Sequence, residues 1–323
     1  MELLVTVLLF ALGILLIVKG GDSFVDAASW MAEVSGIPKL IVGATVVSIA
    51  TTLPELLVST MAAFDGKADM AVGNAVGSVT ANLGLIMGIA LICIPSVIRR
   101  RDYLLKAVLM LGASAYLALA CSQGSLAVAG GAALLVIFAI AMADNVLSAR
   151  KAMLVSREAY GEGVVARPTG KVVAVNVLKF VLGAAGIILG AQLLVDNGSA
   201  LARIIGVPER IIGVTVIAVG TSLPELVTTL TAIAKKQASL SAGNIIGANI
   251  IDLTLILPIC SLISGGSLPV SRQAVWIDIP ASFVVGAIAL LPALVTRKFQ
   301  RWQGVALLVV YGVYLAVTCL GML

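Results

Sequence analysis

The stretch VGTSLPELVTTL (Val219–Leu230) has a near copy 170 residues earlier, IATTLPELLVST (Ile49–Thr60). Each copy places a proline and a glutamate side by side inside a run apolar enough to enter a membrane. The same offset carries Gly213-x-Thr215-Val216 onto Gly43-x-Thr45-Val46, Gly243-Asn244-x-x-Gly247 onto Gly73-Asn74-x-x-Gly77, and Val195-Asp196 onto Val25-Asp26. The chain therefore consists of two homologous halves, and internal duplication of this kind is the first thing to settle about a fold.

Working outward, 60% of the 323 residues are hydrophobic and 11% are charged, against about 25% charged in soluble domains. Crossing about 30 Å of hydrocarbon takes roughly 20 apolar residues. Runs of that kind fall at about 2–20, 39–63, 70–96, 103–121, 125–148, 172–194, 210–234, 239–264, 273–295 and 303–321. The first follows Glu2, precedes Lys19 and lacks a small-residue cleavage site, so it reads as a retained helix rather than a signal peptide. Each half holds five runs. An odd number turns the second half upside down relative to the first, the inverted-repeat plan of secondary transporters, whose substrate site lies near the midplane. The expected fold is an all-α integral membrane protein: ten transmembrane helices as two inverted five-helix repeats with broken helices at the midplane. The first repeat is residues 1–148, a polar linker 149–171, and the second repeat 172–323. The linker is too short to bury a core, and its Glu158, Glu162 and basic residues form no calcium-loop pattern, so it reads as a solvated connector.

The net charge of +5 is distributed as a membrane protein distributes it, and points to no nucleic-acid partner. Fifteen Lys and Arg fall in the connections on one side of the ten-span plan; Lys67, Arg203, Arg210 and Arg272 are the four on the other. The positive-inside rule then puts the linker in the cytoplasm and both termini outside, in the plasma (inner) membrane. Cys93, Cys121, Cys260 and Cys319 are scattered along apolar runs and read as packing, and histidine is absent. A metal held here is one that accepts oxygen ligands, such as sodium, calcium, magnesium or manganese.

Chemistry concentrates at the repeated Pro-Glu. A carboxylate at the centre of a spanning helix costs about 2.5–3.5 kcal/mol on insertion scales, so Glu55 and Glu225 should face the bundle interior and meet a partner. Neither has a basic neighbour in sequence, which makes a bound cation the economical partner. Pro54 and Pro224 lack an N–H, so the carbonyls of Ala50 and Gly220 lose their helical donors and the turn opens. Non-helical backbone is tolerated at membrane depth only where it is buried in protein or lines a cavity. Where the helix stays regular, Thr51 and Thr221 share a face with Glu55 and Glu225. In the following span Ser78 and Asn82 are spaced i, i+4, as are Ala248 and Asp252, and Asn82 corresponds to Asp252. Gly73, Gly77, Gly243 and Gly247 suit close helix packing or backbone approach to a ligand.

The paired G-x-T-V…T-[TS]-L-P-E, each followed by G-N-x-x-G, resembles the α-repeats of the cation/Ca2+ exchanger superfamily, most of all its prokaryotic sodium/calcium exchanger branch. The resemblance implies that Glu55 and Glu225 are shared cation ligands, with Thr51 and Thr221 assisting and Ser48 and Ala218 offering carbonyls. It implies that Thr52, Ser222 and Ser78 are hydroxyl ligands of flanking sodium sites, and that Asn82 and Asp252 form the mid-site pair. Ala248 stands where the family commonly has serine, removing one hydroxyl. Ala50 against Gly220, and Val79 against Asn249, are expected to alter packing more than chemistry.

The expected activity is electrogenic Na+/Ca2+ exchange by alternating access, with Ca2+ and Na+ as substrates, the lipid bilayer as surroundings, and neither an enzymatic role nor a cofactor. A proton/calcium exchanger would use the same glutamates as proton carriers, and an aspartate at position 252 is compatible with potassium co-transport. An intramembrane aspartyl hydrolase needs two paired acids, but the repeat mate of Asp252 is Asn82. A passive channel would differ in lacking counter-ion dependence. Trp30, Trp276, Trp302, Tyr103 and Tyr160 read as interface anchors, and Asp144 and Asp278 as solvated or capping groups near helix ends.

Overall fold

The proline-containing turns recur in three dimensions as helix breaks. The structure, a computed structural model, describes residues 2–95, 100–160, 168–206, 220 and 222–321, with side chains apart from those of residues 2, 156–160 and 319–321. In chain order, α1 (Glu2–Ser35) precedes α2 (Lys39–Thr51) and α3 (Leu53–Phe64), which meet at a bend of 45°. Then come α4 (Ala68–Cys93), α5 (Arg100–Ala120), a short strand β1 (Ser125–Ala127) and α6 (Val128–Tyr160). The second half supplies α7 (Gly170–Ile204), α8 (Leu223–Ala234), α9 (Ala238–Ile263), strand β2 (Ser267–Pro269), α10 (Ala274–Thr296) and α11 (Arg301–Gly321). Among the described residues eight helices are long and apolar enough to cross a membrane, or nine if α2 and α3 make one span. The expected span at 210–234 lies partly outside the described residues, which include only Gly220, Ser222 and α8 of it. The chain is thus a multi-pass, essentially all-helical membrane protein.

Two differences from expectation concern the connections. The expected linker begins as helix, because α6 continues through residue 160. The all-α expectation also gives way to a two-stranded antiparallel sheet that pairs Leu126 with Leu268. Gly124, Gly265 and Gly266 lead into the strands at positive φ, where glycine lacks the steric penalty of other residues. Three residues per strand are too few for an alternating pattern to declare itself.

The chain folds into two compact units that do not follow the halves of the sequence; each takes segments from both. Unit one comprises Met1–Thr51 with Asp144–Asn244, and unit two Thr52–Ala143 with Ile245–Leu323. In unit one α1 and α7 run antiparallel along a seam of glycines. A Cβ on Gly13 would lie 3.0 Å from Gly190 O, and one on Gly20 would lie 2.9 Å from Gly183 O. The offset of 170 exchanges these two contacts, because it maps Gly13 onto Gly183 and Gly20 onto Gly190. Phe24, Val25, Val47, Ile187 and Leu240 make the apolar core, with Phe24 stacked on Phe180 at 4.5 Å. An added Cβ on Gly43 would run into Leu240 O, and one on Gly243 into Leu40 O, so α2 and α9 cross at backbone contact. This gives Gly243 a packing role.

The α8–α9 turn is tied into the same unit by charge. Lys235 Nζ lies 2.8 Å from Asp26 Oδ1 and 3.3 Å from Asp22 Oδ1. Lys39 Nζ bridges Glu33 Oε1 and Gln237 Oε1, each at 2.8 Å. Burial disfavours the charged form of Lys235, but its hydrogen bonds to Asp26 and Asp22 and their charges outweigh this and raise its pKa above the ordinary lysine value.

In unit two, α4 and the part of α9 beyond residue 244 are deeply buried among α3, α5, α10 and α11. Asp278 is not a solvated end group: it is 8% exposed and accepts a hydrogen bond from Tyr314 Oη at 3.2 Å. Tyr103 is buried and meets Phe299 edge-on rather than anchoring an interface, whereas Trp276 and Trp302 are exposed as an interface role requires. Cys121 and Cys260 are buried, while Cys93 is exposed.

Candidate cation site

Each glutamate is built by the same local rule. Thr52 (φ −86°, ψ 0°) and Ser222 (φ −88°, ψ 9°) leave the helical path and cap new helices whose second residue is Pro54 or Pro224. A first-turn residue has no intrahelical acceptor for its N–H, so proline is accommodated there without loss. The first bonds of the new helices, Leu56 N to Thr52 O and Leu226 N to Ser222 O, are both 3.0 Å. Glu55 and Glu225 then fall in the first turn, the end of a helix dipole that attracts negative charge. They are 1% and 0% exposed. The break also interrupts the register that would have put Thr51 and Glu55 on one helical face: Thr51 ends α2, and its hydroxyl donates to Ser48 O at 3.3 Å and Asn244 Oδ1 at 3.2 Å.

In unit two, α3, α4 and the Asp252–Ile256 segment of α9 pack on one another. They bring together the elements that carry Thr52, Glu55, Ser78, Asn82 and Asp252, all buried. Asn82 and Asp252, mates at the repeat offset, each open a π-helical segment, Asn82–Met87 and Asp252–Ile256. Single π turns inside α-helices occur often at functional sites. In unit one, Ser48, Thr51, Ser222, Glu225 and Asn244 are among the buried polar residues, and a third π segment, Gly43–Val47, gives up the carbonyl of Ala44 to Asn145 Nδ2 at 3.2 Å. Thr221 and Ala218 lie outside the described residues.

Several buried neutral atoms have no hydrogen-bond partner among the described residues: Ser78 Oγ, Asn82 Oδ1 and Asn249 Nδ2 in unit two, and Ser222 Oγ and Asn244 Nδ2 in unit one. A buried polar group left unsatisfied costs about 1–3 kcal/mol; a cation or water can meet the three oxygens, whereas the two amide nitrogens are donors that a water or another acceptor must meet. Among the described residues no three Asp, Glu, Cys or His side chains gather to hold a metal, so hydroxyl, amide or backbone carbonyl oxygens must complete a donor set. Hard oxygen ligands without thiolate or imidazole suit calcium and sodium. Ala248, fully buried, offers no hydroxyl.

Three asparagines were missed in reading the sequence for site residues. Asn74 Nδ2 donates to Glu55 O at 3.2 Å and Ser59 Oγ at 2.9 Å, fixing the glutamate's helix from α4. Asn244 accepts from Thr51, and Asn249 Oδ1 accepts from Asn82 Nδ2 at 3.2 Å. The signal for the first two was the repeated G-N-x-x-G, read for its glycines alone.

The chain is similar to known proteins along nearly its whole length. The family model described as sodium/calcium exchanger protein matches residues 5–144 and 175–320. The inner membrane protein YrbG of Escherichia coli is 37% identical over 273 residues, 82% of each chain. The sodium/calcium exchanger MaX1 of Methanosarcina acetivorans is 29% identical over 97% of this chain and 98% of its own. A solved structure of the sodium-calcium exchanger NCX_Mj, soaked with 2.5 mM Na+ and 0.1 mM Sr2+, superposes with a TM-score of 0.81 at 27% identity, covering 97% of this chain and 99% of that one.

Proposed function

Since the chain belongs to the sodium/calcium exchanger family, in the prokaryotic branch of the cation/Ca2+ exchanger superfamily, we propose that it exchanges Na+ for Ca2+ by alternating access. The observation that carries this reading is the duplicated break, in which two buried glutamates occupy the first turn after matching Thr52 and Ser222 caps. In this reading Glu55 and Glu225 bind the transported cation, assisted by Thr51, Thr221 and the carbonyls of Ser48 and Ala218. Thr52, Ser78 and Ser222 supply hydroxyls for sodium, and Asn82 and Asp252 form the mid-site pair. The fold is ten spans in two inverted five-helix repeats. The antiparallel α1–α7 seam, which the repeat offset maps onto itself, supports that plan. The asymmetry of Lys and Arg supports a cytoplasmic linker and both termini outside.

Exchange, rather than release, follows from the cost of leaving carboxylates empty in a low dielectric. Sodium ions displace calcium by competing for the same oxygens. A three-for-one exchange moves one net charge per cycle, so it responds to voltage by about 2.3 kcal/mol per 100 mV. The test is 45Ca2+ uptake into proteoliposomes loaded with sodium, potassium or choline, with and without a pH gradient. Uptake that requires internal sodium supports the proposal. Uptake driven by the pH gradient alone refutes sodium coupling and makes the glutamates proton carriers, and a potassium requirement identifies a potassium-dependent exchanger.

A further inference from the structure

Asn249 has no part in the ligand set above, yet it is fully buried on α9, three residues before Asp252, and holds Asn82 by the 3.2 Å hydrogen bond to its Oδ1. The other atoms of this amide pair, Asn82 Oδ1 and Asn249 Nδ2, are buried without a hydrogen-bond partner among the described residues. A primary amide has two unlike ends: an oxygen with lone pairs and an NH2 with two donors. A cation is bound by the first and repelled by the second. A carboxylate has no such problem, since its two oxygens are equivalent. Of the repeat mates Asn82 and Asp252, only Asn82 has an orientation to get wrong.

The sequence asymmetry matches that need. The offset of 170 turns the pair Asn82 and Asn249 into Asp252 and Val79. Position 249, which partners the amide at 82, carries asparagine; position 79, its mate, which would partner the carboxylate at 252, carries a hydrocarbon. We propose that Asn249 is a positioning residue for cation binding: by taking one N–H of Asn82 it leaves the Asn82 carbonyl oxygen as the end presented to the transported ion. The assignment rests on the exchanger reading, and deepens it by adding a residue that acts through a ligand rather than as one. Val79 against Asn249 is then a difference in chemistry, not only in packing.

The test is a double-mutant cycle in reconstituted full-length protein. Asn249→Leu keeps the branched heavy-atom skeleton, though its methyl groups are bulkier, and Asn249→Ala truncates it; both release the Asn82 amide. Asn82→Asp makes the two ends of residue 82 equivalent, so orientation ceases to matter. Loss of one neutral hydrogen bond corresponds to about a threefold to tenfold effect. The expected result is a rise of that size in the KM for calcium in Asn249→Leu and Asn249→Ala, little change in maximal rate, and no further rise when either is added to Asn82→Asp. Calcium binding by calorimetry should shift in parallel. An unchanged KM, or an equal penalty in the Asn82→Asp background, overturns the assignment and leaves Asn249 a packing residue. A fall in maximal rate and melting temperature without a KM change does the same. The wild-type protein separates the two levels of argument: if it moves and binds calcium while the variants match it, only the role of Asn249 fails. If it neither moves nor binds calcium, the exchanger reading fails and takes this assignment with it.

Discussion

Replacing Glu55 by Gln isolates the carboxylate's charge from its place in the fold. The surrounding backbone does not depend on that charge: Asn74 Nδ2 bonds the carbonyl of residue 55, not its side chain, and the helix starts through Leu56 N to Thr52 O. Pro54 and the Thr52 cap, which make the break, are untouched. Gln is nearly isosteric and keeps one ligand oxygen, so the packing of this 1% exposed side chain survives. What is lost is one partner of a buried ionic interaction, for which about 3–5 kcal/mol is typical. At 1.4 kcal/mol per decade this weakens calcium binding roughly 100-fold to several thousand-fold. The assay pairs sodium-dependent 45Ca2+ uptake with calcium titration of the detergent-purified protein, and with a melting curve in the absence of calcium. The expected outcome is loss of uptake and binding at micromolar calcium with an unchanged calcium-free melting temperature. Wild-type uptake in Glu55→Gln would falsify the carboxylate argument. A collapse of the melting temperature would show instead that Glu55 is structural.

Ala248→Ser restores a hydroxyl at a fully buried position beside Asn249; sodium-dependent calcium release should then reach half-maximum at lower sodium, and an unchanged sodium dependence refutes a ligand role for that hydroxyl. Lys236 holds φ 58° in the α8–α9 turn, where its repeat mate Gly66 holds φ 71° in the α3–α4 turn. A non-glycine residue in that region costs about 1–2 kcal/mol, partly offset by the flexibility glycine brings to the unfolded chain, so Lys236→Gly should raise the melting temperature; a decrease refutes the strain. The Lys235 contacts predict a pH dependence. Because the folded-state pKa of Lys235 is raised, its contribution is fully present below the ordinary lysine value and is lost as pH rises through the folded one. The melting-temperature gap between wild type and Lys235→Met should therefore narrow from neutral to strongly alkaline pH. With Asp22 and Asp26 side chains 51% and 62% exposed, the gap should be small, as surface ion pairs contribute about 0–1 kcal/mol, and a gap that widens with pH contradicts the assignment.

What could be read from the sequence depended on whether the signal was carried by one residue type or by a pairing. The breaks at Pro54 and Pro224 were legible because proline removes a donor wherever it stands, and the buried glutamates because no membrane segment tolerates them without a reason. The π segments at Asn82 and Asp252 were not, since a single added residue per turn leaves no periodic trace in a span that is buried all round. Tyr103 looked like an interface anchor because an aromatic near a span end usually is one; its burial against Phe299 comes from a connection nearly 200 residues away. The compact units were hidden for the same reason: each is assembled from both halves, so no change of composition marks where one ends. The asparagines show this most directly. Asn74 and Asn244 are repeat mates in one motif, yet Asn74 donates to Glu55 O and Ser59 Oγ, whereas Asn244 accepts from Thr51. An amide can serve as donor or acceptor, so a repeated asparagine announces that a polar partner exists without saying which end it meets. Departures from perfect duplication, such as Asn249 opposite Val79, are therefore where two homologous halves acquire different roles in handling one ion.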